Sequence, residues 1–522
     1  MMMSTKKNFA KTEIFCPDEA ASLRFAVWLS GLLQAGDIVF LNGDLGAGKT
    51  SFARGVIRAL VGDQISVPSP TFTLVQDYQG QDFPIYHADL YRLEDSQEAD
   101  ELDLFAHPDR LVLLEWGARL LDDDTQTALS AEALRQSIHI DFAHHETGRL
   151  ISLSGADKFM QKLAAGDGFA QFIAREQAAQ AFLEKSGYGA ALREAVAGDA
   201  SGRRYERLLM PNEARFIFMD WPQSPLPDAG SSYAQQVHLG TKTDSFVCIS
   251  AYLRSLGLTA PRLFAADLAQ GFLVLEDFGS LSLTELIDRK APNLPIVYGE
   301  AIETLVQLHQ TTPPNELKYD GASHDLVRLD RDILKTELGV FIDWYAPYQN
   351  ISLSETAKTE WDAIWDIIFD KLFAASDGQE KDLPQVLVLR DFHSPNIMWC
   401  DAAQSLNRIG LIDVQDALRG APAYDVVSLL QDARRDVSEQ QATHYLAHYL
   451  ARTGFDEPRF MQTYYILGAQ RNLRIAGVFA RLAMRDGRAE YLAHLPRVFG
   501  YLSQCFKHAD LQELDKWLQN HL

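Results

Sequence analysis

Hydrophobic positions in the first third of the chain fall into short runs separated by amphipathic stretches. Residues 37–42 (DIVFLN), 83–87 (FPIYH) and 110–115 (RLVLLE) are apolar runs of strand length. The periodicity of residues 51–60 predicts a helix between the first two. Residues 137–142 and 149–153 read as two more strands. Strands alternating with helices imply an α/β layer. After Ser154 the pattern changes. Residues 155–170 are mostly small and polar, with one short helical stretch, and read as a linker between a domain at 9–154 and another at 171–522. The second opens with a helix over 170–186 and short strand-like pieces at 203–209, 214–219 and 271–276. From about Leu281 onward helical periodicity dominates, interrupted by one strand–loop–strand island between Val386 and Val414.

Charge narrows the classes of partner. Lys plus Arg total 48 and Asp plus Glu 71 in 522 residues, a formal charge of −23, which argues against a protein that grips nucleic acid with its whole surface. The 4 cysteines are scattered, and no CxxC pair suggests a structural zinc. The N-terminal lysines are followed by no apolar targeting core, and no run reaches the ~18 apolar residues of a membrane span. The expectation is a soluble cytoplasmic protein.

The run 37–42 ends in Gly43-Asp44-Leu45-Gly46-Ala47-Gly48-Lys49-Thr50, which fits GxxxxGK[ST] between a strand and a helix. Glycines there let backbone N–H groups turn around phosphate oxygens, and the helix N-terminus adds partial positive charge. Lys49 is then expected at the β- and γ-phosphates of ATP, and the Thr50 hydroxyl on Mg²⁺. The rigid VPSPTF loop places Thr71 where a γ-phosphate could be sensed. Asp89, just past a strand, stands where a Mg²⁺-side carboxylate is needed, and Glu115 closes the apolar strand where a carboxylate can orient water.

Taken together, GDLGAGKT, SPTF, HADLYRL and the Glu115-Trp116 pair resemble the TsaE family of P-loop ATPases over about residues 9–154. That resemblance implies support of tRNA threonylcarbamoyladenosine (A37) modification through the TsaB–TsaD complex, with tRNA reached indirectly. Carried across, Gly43, Asp44, Gly46, Ala47, Gly48, Lys49 and Thr50 hold nucleotide, Thr50 and Asp89 serve the metal, Thr71 is the switch-loop threonine and Glu115 the catalytic carboxylate. Trp116 falls to the nucleotide side or to a partner surface.

The island at 386–414 carries a second constellation. Asp391 ends an apolar strand, Asn396 follows five residues later, and Asp413 ends the next short strand. This is the spacing at which a kinase fold sets a base for the attacking hydroxyl and two Mg²⁺ ligands. A β-rich part before a large helical part gives a bilobal, protein-kinase-like layout. Residues 172–499 resemble the aminoglycoside and choline phosphotransferase superfamily, and within it the AmgK group of N-acetylmuramate and N-acetylglucosamine kinases. The carrying segments are GDAS at 198–201, LEDFG at 275–279, the catalytic loop, DVQDA at 413–417, AYDVVSLLQDAR at 423–434, QRNLRI at 470–475 and LPRV at 495–498. The resemblance implies a nucleotide-covering loop with Gly198 and Ser201, an adenine hinge at Glu276 and Phe278, a bracing carboxylate at Asp425, and Arg434 and Arg471 toward the acceptor.

Two departures stand out. Gly202 and Glu206 occupy positions where the group carries aromatics, which would loosen the nucleotide loop. No VAIK-like lysine exists, since Met219 fills the position, and Arg203, Arg204 and Lys242 all remain open as the phosphate-facing cation.

The expected fold class is therefore α/β, a P-loop NTPase domain followed by a bilobal kinase-like domain. The expected function is bifunctional: ATPase support of tRNA modification, and anomeric phosphorylation of an amino sugar in peptidoglycan recycling. An aminoglycoside or choline-like acceptor, or a non-catalytic nucleotide-binding module, remains the alternative for the second half.

Overall fold

A computed structural model describes residues 12–522 apart from 63–64, 81, 93–101, 103, 105–107, 118–136, 146–147, 165–167, 197–202, 223–231, 241, 374–382 and 401–407. Within these, one compact unit takes the chain up to residue 199 together with 205–214, and a second takes 200–204 and 215–522.

The first unit is built on strands β1 (Thr12–Cys16), β2 (Ile38–Gly43), β3 (Val75–Gln79), β4 (Pro84–Asp89), β5 (Leu111–Glu115), β6 (Ile138–His145) and β7 (Gly148–Gly155). They form one sheet in the order β1-β7-β6-β2-β5-β4-β3. All five residues of β5 are buried, and β2 and β4 pair with it in parallel on either side. A strand covered on both faces has no polar side to show, so its sequence is a continuous apolar run and not an alternation. Helices α1 (Glu19–Ser30) and α2 (Lys49–Val61) pack together. Asp18 caps α1 by accepting from the Ala21 N–H.

Two glycines at the turn from β2 to α2 are required by sterics. Gly43 has φ +141°, and a Cβ there would lie 2.5 Å from the Phe142 carbonyl oxygen. Gly48, the N-cap of α2, has φ +100°, a backbone region that side chains avoid.

The segment read as a linker is structured. Helix α3 (Asp157–Ala164) buries Phe159 and Leu163 in the sheet's core. Helix α4 (Gly168–Lys185) stacks Phe172 on Trp28 of α1, with ring centroids 5.1 Å apart. The hairpin of β8 (Leu192–Val196) and β9 (Arg204–Leu209) pairs Ala195 with Glu206. Its buried charges form a network with the helices. Arg193 Nε lies 2.6 Å from Glu206 Oε2, Arg24 Nε is 3.3 Å from Glu206 Oε1, and Glu176 Oε2 lies 3.0 Å from Arg24 and 3.5 Å from Arg193. Glu206 therefore anchors the hairpin. Gly202, the other departure, lies outside the described residues.

In the second unit, strands β10 (Arg215–Asp220), β11 (Leu263–Asp267) and β12 (Phe272–Glu276) are antiparallel, with β12 between the others. The helical part includes α5 (Thr243–Ser255), α6 (Leu294–His309), α7 (Arg331–Val340), α8 (Glu355–Phe373), α9 (Ala423–Leu430), α10 (Glu439–Thr453), α11 (Glu457–Asp486), α12 (Leu495–Cys505) and α13 (Gln512–His521). The predicted island consists of β13 (Val386–Val388), β14 (Ile397–Trp399), β15 (Ile409–Leu411) and β16 (Leu418–Gly420). β14 pairs with β15, and β13 with β16. Among the described residues, no helix is long and apolar enough to cross a membrane.

Removing Glu206 takes from buried Arg193 the nearer of its two carboxylates and leaves Glu176 at 3.5 Å. Glu206→Ala is expected to cost the first unit about 3 kcal/mol, the scale for breaking a buried pair. Urea denaturation of the intact chain followed through the first unit's transition measures this. Lys358→Ala, which breaks an exposed pair in the second unit, should leave that transition in place.

Candidate functional site

Each unit carries one constellation. In the first, the turn after β2 aims Lys49 back over the loop, where its Nζ donates to the carbonyl oxygens of Gly43 (2.7 Å) and Asp44 (2.8 Å). The same ammonium sits 3.8 Å from the Trp116 ring centroid, so Trp116 lies against the phosphate-loop lysine. Burial pushes the Lys49 amine below its ordinary value, against the opposing pull of Glu115, Asp89 and Asp44.

The parallel register of β4 and β5 sets Asp89 directly beside Glu115. Both are buried. Thr50 Oγ1 donates to Glu115 Oε2 at 2.7 Å, and Thr71 Oγ1 donates to Asp89 Oδ2 at 2.6 Å. The loop threonine and the helix threonine thus each hold one of the two carboxylates. His87 Nε2 lies 2.9 Å from Glu115 Oε1 and is fully buried. It holds the Glu115 carboxylate in place, a role not assigned from the sequence although His87 lies in the HADLYRL segment. Two carboxylates and two hydroxyls, all oxygen donors, fit a hard cation that completes its shell with phosphate and water. Among the described residues no group of three or more His, Cys, Asp or Glu is placed to hold a metal by itself.

In the second unit the catalytic loop is fixed by Asp425, which is fully buried. Its carboxylate accepts from the N–H groups of Leu389 (2.8 Å) and Arg390 (3.0 Å), the bracing role expected of it. Arg390 has φ +67° and is paired with buried Glu337, while Ser428 Oγ donates to the Arg390 carbonyl at 2.7 Å. Asp432 takes the N–H and Oγ of Ser394. The loop is thereby pinned at both ends, with Asp391 between them.

Pairing of β14 with β15 brings Asn396 to Asp413: the Ile412 N–H donates to the Asn396 carbonyl at 3.2 Å, and Asn396 Nδ2 donates to the Asp391 carbonyl at 3.1 Å. Asp413 has φ +58° and accepts from Gln415 Nε2 at 2.9 Å. Arg203 Nη2 lies 2.8 Å from Asp413 Oδ1. Arg204 instead pairs with Asp220 at the end of β10, and Lys242 stands at the N-cap of α5. Of the three candidate cations, Arg203 is the one that reaches Asp413. Met219, in the lysine's place, is buried in the core.

Arg471, buried on α11, approaches Asp391 Oδ1 to 3.7 Å, and His393 Nε2 to 3.8 Å. Burial alone would raise the Asp391 carboxyl. The charges of His393, Arg474, Arg471 and Arg390 overcome that and hold it at about 2. Burial, with the Arg434 and Arg471 charges, pushes His393 down to about 4 against the pull of Asp391, so at neutral pH the arginines do this work. The Glu276 carboxylate accepts from the Arg262 N–H at 3.2 Å, and the Glu276 N–H donates to the Arg262 carbonyl at 2.9 Å. The Phe278 ring packs against Gly410, where a Cβ would come within 2.8 Å of it. Gly198 and Ser201 lie outside the described residues.

Comparison with known proteins gives two separate matches. Residues 16–150 match the family model described as threonylcarbamoyl adenosine biosynthesis protein TsaE, and residues 193–464 match that of the phosphotransferase enzyme family. The chain is 38% identical over 362 residues to the N-acetylmuramate/N-acetylglucosamine kinase of Caulobacter vibrioides, covering 67% of this chain and 97% of that protein. It is 46% identical over 99 residues to the tRNA threonylcarbamoyladenosine biosynthesis protein TsaE of Rickettsia conorii, covering 19% of this chain and 57% of that protein. Against the protein of the same name from Rickettsia bellii the figures are 41% identity over 122 residues, 20% and 85%.

The depressed His393 value carries a sign. Between its ordinary value of 6.5 and about 4 the unfolded chain binds a proton that the native chain does not, so stability falls as the pH drops through that window. Thermal melting of the second unit should show this fall, and His393→Asn should flatten it.

Proposed function

Because the chain belongs both to the TsaE family and to the phosphotransferase enzyme family, we propose that it is a bifunctional protein. Its first site hydrolyses ATP in support of tRNA threonylcarbamoyladenosine formation, docked on TsaB–TsaD. Its second site phosphorylates the anomeric hydroxyl of N-acetylmuramate or N-acetylglucosamine, in the cytoplasm. The single observation that carries the choice of acceptor is the basic surround of Asp391. Arg471 lies 3.7 Å away, and the charges of Arg434 and Arg474 also act on the Asp391–His393 pair. Such a surround repels the cationic acceptors of aminoglycoside and choline kinases, and suits a neutral acetamide or a carboxylate.

In the second site the anomeric oxygen attacks the γ-phosphorus, the bond to the β–γ bridging oxygen breaks, and ADP leaves. Asp391 orients the hydroxyl and receives its proton, late in the transfer given how weakly basic its carboxylate is. Asp413 and Asn396 are the residues that would hold Mg²⁺, which supplies charge neutralisation at the phosphates. Arg203 would take the phosphate-facing role of the absent lysine, beside the Asp413 carboxylate that would hold the metal. In the first site Lys49 and the loop amides hold the phosphates, Thr50 and Asp89 serve the metal, Thr71 senses the γ-phosphate, and Glu115 positions water.

A coupled assay offering N-acetylmuramate, N-acetylglucosamine, kanamycin and choline tests the acceptor. Turnover is expected with the two sugars, and turnover confined to kanamycin or choline would reject the reading. Asp391→Asn should lower kcat by about 10³-fold, within the range for losing a positioned base, while the melting curve persists.

The first site is checked by reconstitution with TsaB, TsaD and tRNA. Lys49→Ala should abolish ATP hydrolysis and modification together. Modification that proceeds equally well without this chain would sink its tRNA role.

A further inference from the structure

Helix α11 carries Arg471, Arg474 and Arg481. Seven residues are nearly two full turns, so Arg481 stands in line with Arg474, about 10 Å further along the axis. The first two are answered by carboxylates of the protein itself. Arg471 Nη2 lies 3.7 Å from Asp391 Oδ1, and Arg474 Nε lies 3.6 Å from Oε1 of buried Glu337. Arg481 is different. Its Nε is buried without a hydrogen-bond partner, and among the described residues no carboxylate forms an ion pair with it. Asp486, whose charge acts on it, is already held by Arg485 at 2.7 and 2.9 Å. Burial, with the Arg485 and Arg474 charges, pushes the Arg481 guanidinium below its ordinary value, against the pull of Tyr233 and Asp486. A cation drawn out of water in this way is stabilised by an anion placed against it.

The neighbour of Arg481 ties it to the reacting end of the second site. Its Cζ lies 5.5 Å from the ring centroid of Tyr233, which belongs to a short helix, Ser232–Gln236. Tyr233 also acts on Arg474. The chain leaving that helix is fastened to the catalytic loop and to the segment after Asp413. The Val237 carbonyl accepts from Arg390 Nη1 at 3.0 Å, and the Gly240 N–H donates to Asp416 Oδ1 at 2.5 Å. Arg481 and Tyr233 therefore belong to the surround of Asp391, two helical turns beyond Arg474.

The two sugars proposed as acceptors differ in one respect. N-acetylmuramate carries a lactyl carboxylate on an arm two ring carbons from its anomeric carbon, where N-acetylglucosamine has a hydroxyl. With the anomeric hydroxyl at Asp391, beside Arg471, that arm points away from the reacting end. We propose that Arg481, backed by Tyr233, is the carboxylate subsite of the acceptor pocket and sets its preference for the acidic sugar. The inference rests on the amino-sugar kinase reading of the second site. Two N–H groups of the guanidinium would donate to the two carboxylate oxygens, the pairing that arginine's planar fork favours. The arm takes no part in phosphoryl transfer, so the contact is equal before and during it. It acts on KM and leaves kcat alone.

Initial rates of the intact chain with each sugar provide the test. Arg481→Met keeps the stem and removes the charge. It is expected to raise the KM for N-acetylmuramate about tenfold, the scale of one charge-assisted hydrogen bond. The ratio of kcat/KM for N-acetylmuramate to that for N-acetylglucosamine should fall by the same factor, and Arg481→Lys should recover part of it. The carboxamide of N-acetylmuramate, which lacks the charge, probes the same contact from the other side. Its KM with the unsubstituted chain should exceed that of the acid about tenfold, and Arg481→Met should no longer tell acid from amide. The comparison of acid with amide needs no substitution, so it decides even where Arg481→Met does not fold. An unchanged ratio in Arg481→Met, an amide used as well as the acid by the unsubstituted chain, or turnover of N-acetylglucosamine alone overturns the inference and leaves the kinase reading standing. If neither sugar is turned over, the acceptor reading is refuted and the role of Arg481 with it.

Discussion

A carboxylate taken out of water has to be answered by donors or by positive charge, and both sites are arranged around that demand. Asp425 shows it most plainly. Fully buried, it is met by two consecutive backbone N–H groups, and those N–H groups belong to the residues just before Asp391. Satisfying one acid therefore fixes the backbone that presents the other. Glu115 plays a comparable part in the first unit, where Thr50 and His87 occupy its two oxygens. In each case the group that would touch the reaction is positioned by a hydrogen bond that the protein needs anyway to bury charge.

Local charge and overall charge point in opposite directions. The chain carries −23, yet Asp391 is flanked by arginines from α11 and by Arg390, held in place by Glu337. Glu337 is itself fully buried and held below its usual range, because the Arg474 and Arg390 charges and a hydrogen bond from Gln470 outweigh its burial. Arginines thus crowd the Asp391 carboxylate in a chain that is acidic as a whole.

Features carried by neighbouring residues could be read from the chain alone. The apolar run of β5, the glycines that permit the turn after β2, and the Asp391–Asn396 spacing are local, and the structure has each in its element. Asp89 and Glu115 were singled out separately, but their contact follows from strand register, which no single segment encodes. Long-range charge pairing was illegible for the same reason. Glu206 looked like a missing aromatic until Arg24, 182 residues away in sequence, closed on it. Residues 155–170 looked like a linker because small and polar side chains dominate. Two apolar residues at helical spacing, Phe159 and Leu163, were enough to bury α3. Which of the Arg203, Arg204 and Lys242 side chains reaches Asp413 is likewise a fact of packing.

The stacking of Trp28 on Phe172 bears on where the chain can be cut. Helix α4 covers a hydrophobic face of the first unit, and Arg24 is committed to Glu176 and Glu206. A truncation at residue 150, where the match to the TsaE model ends, would bare that aromatic surface and strip a buried cation of both carboxylates.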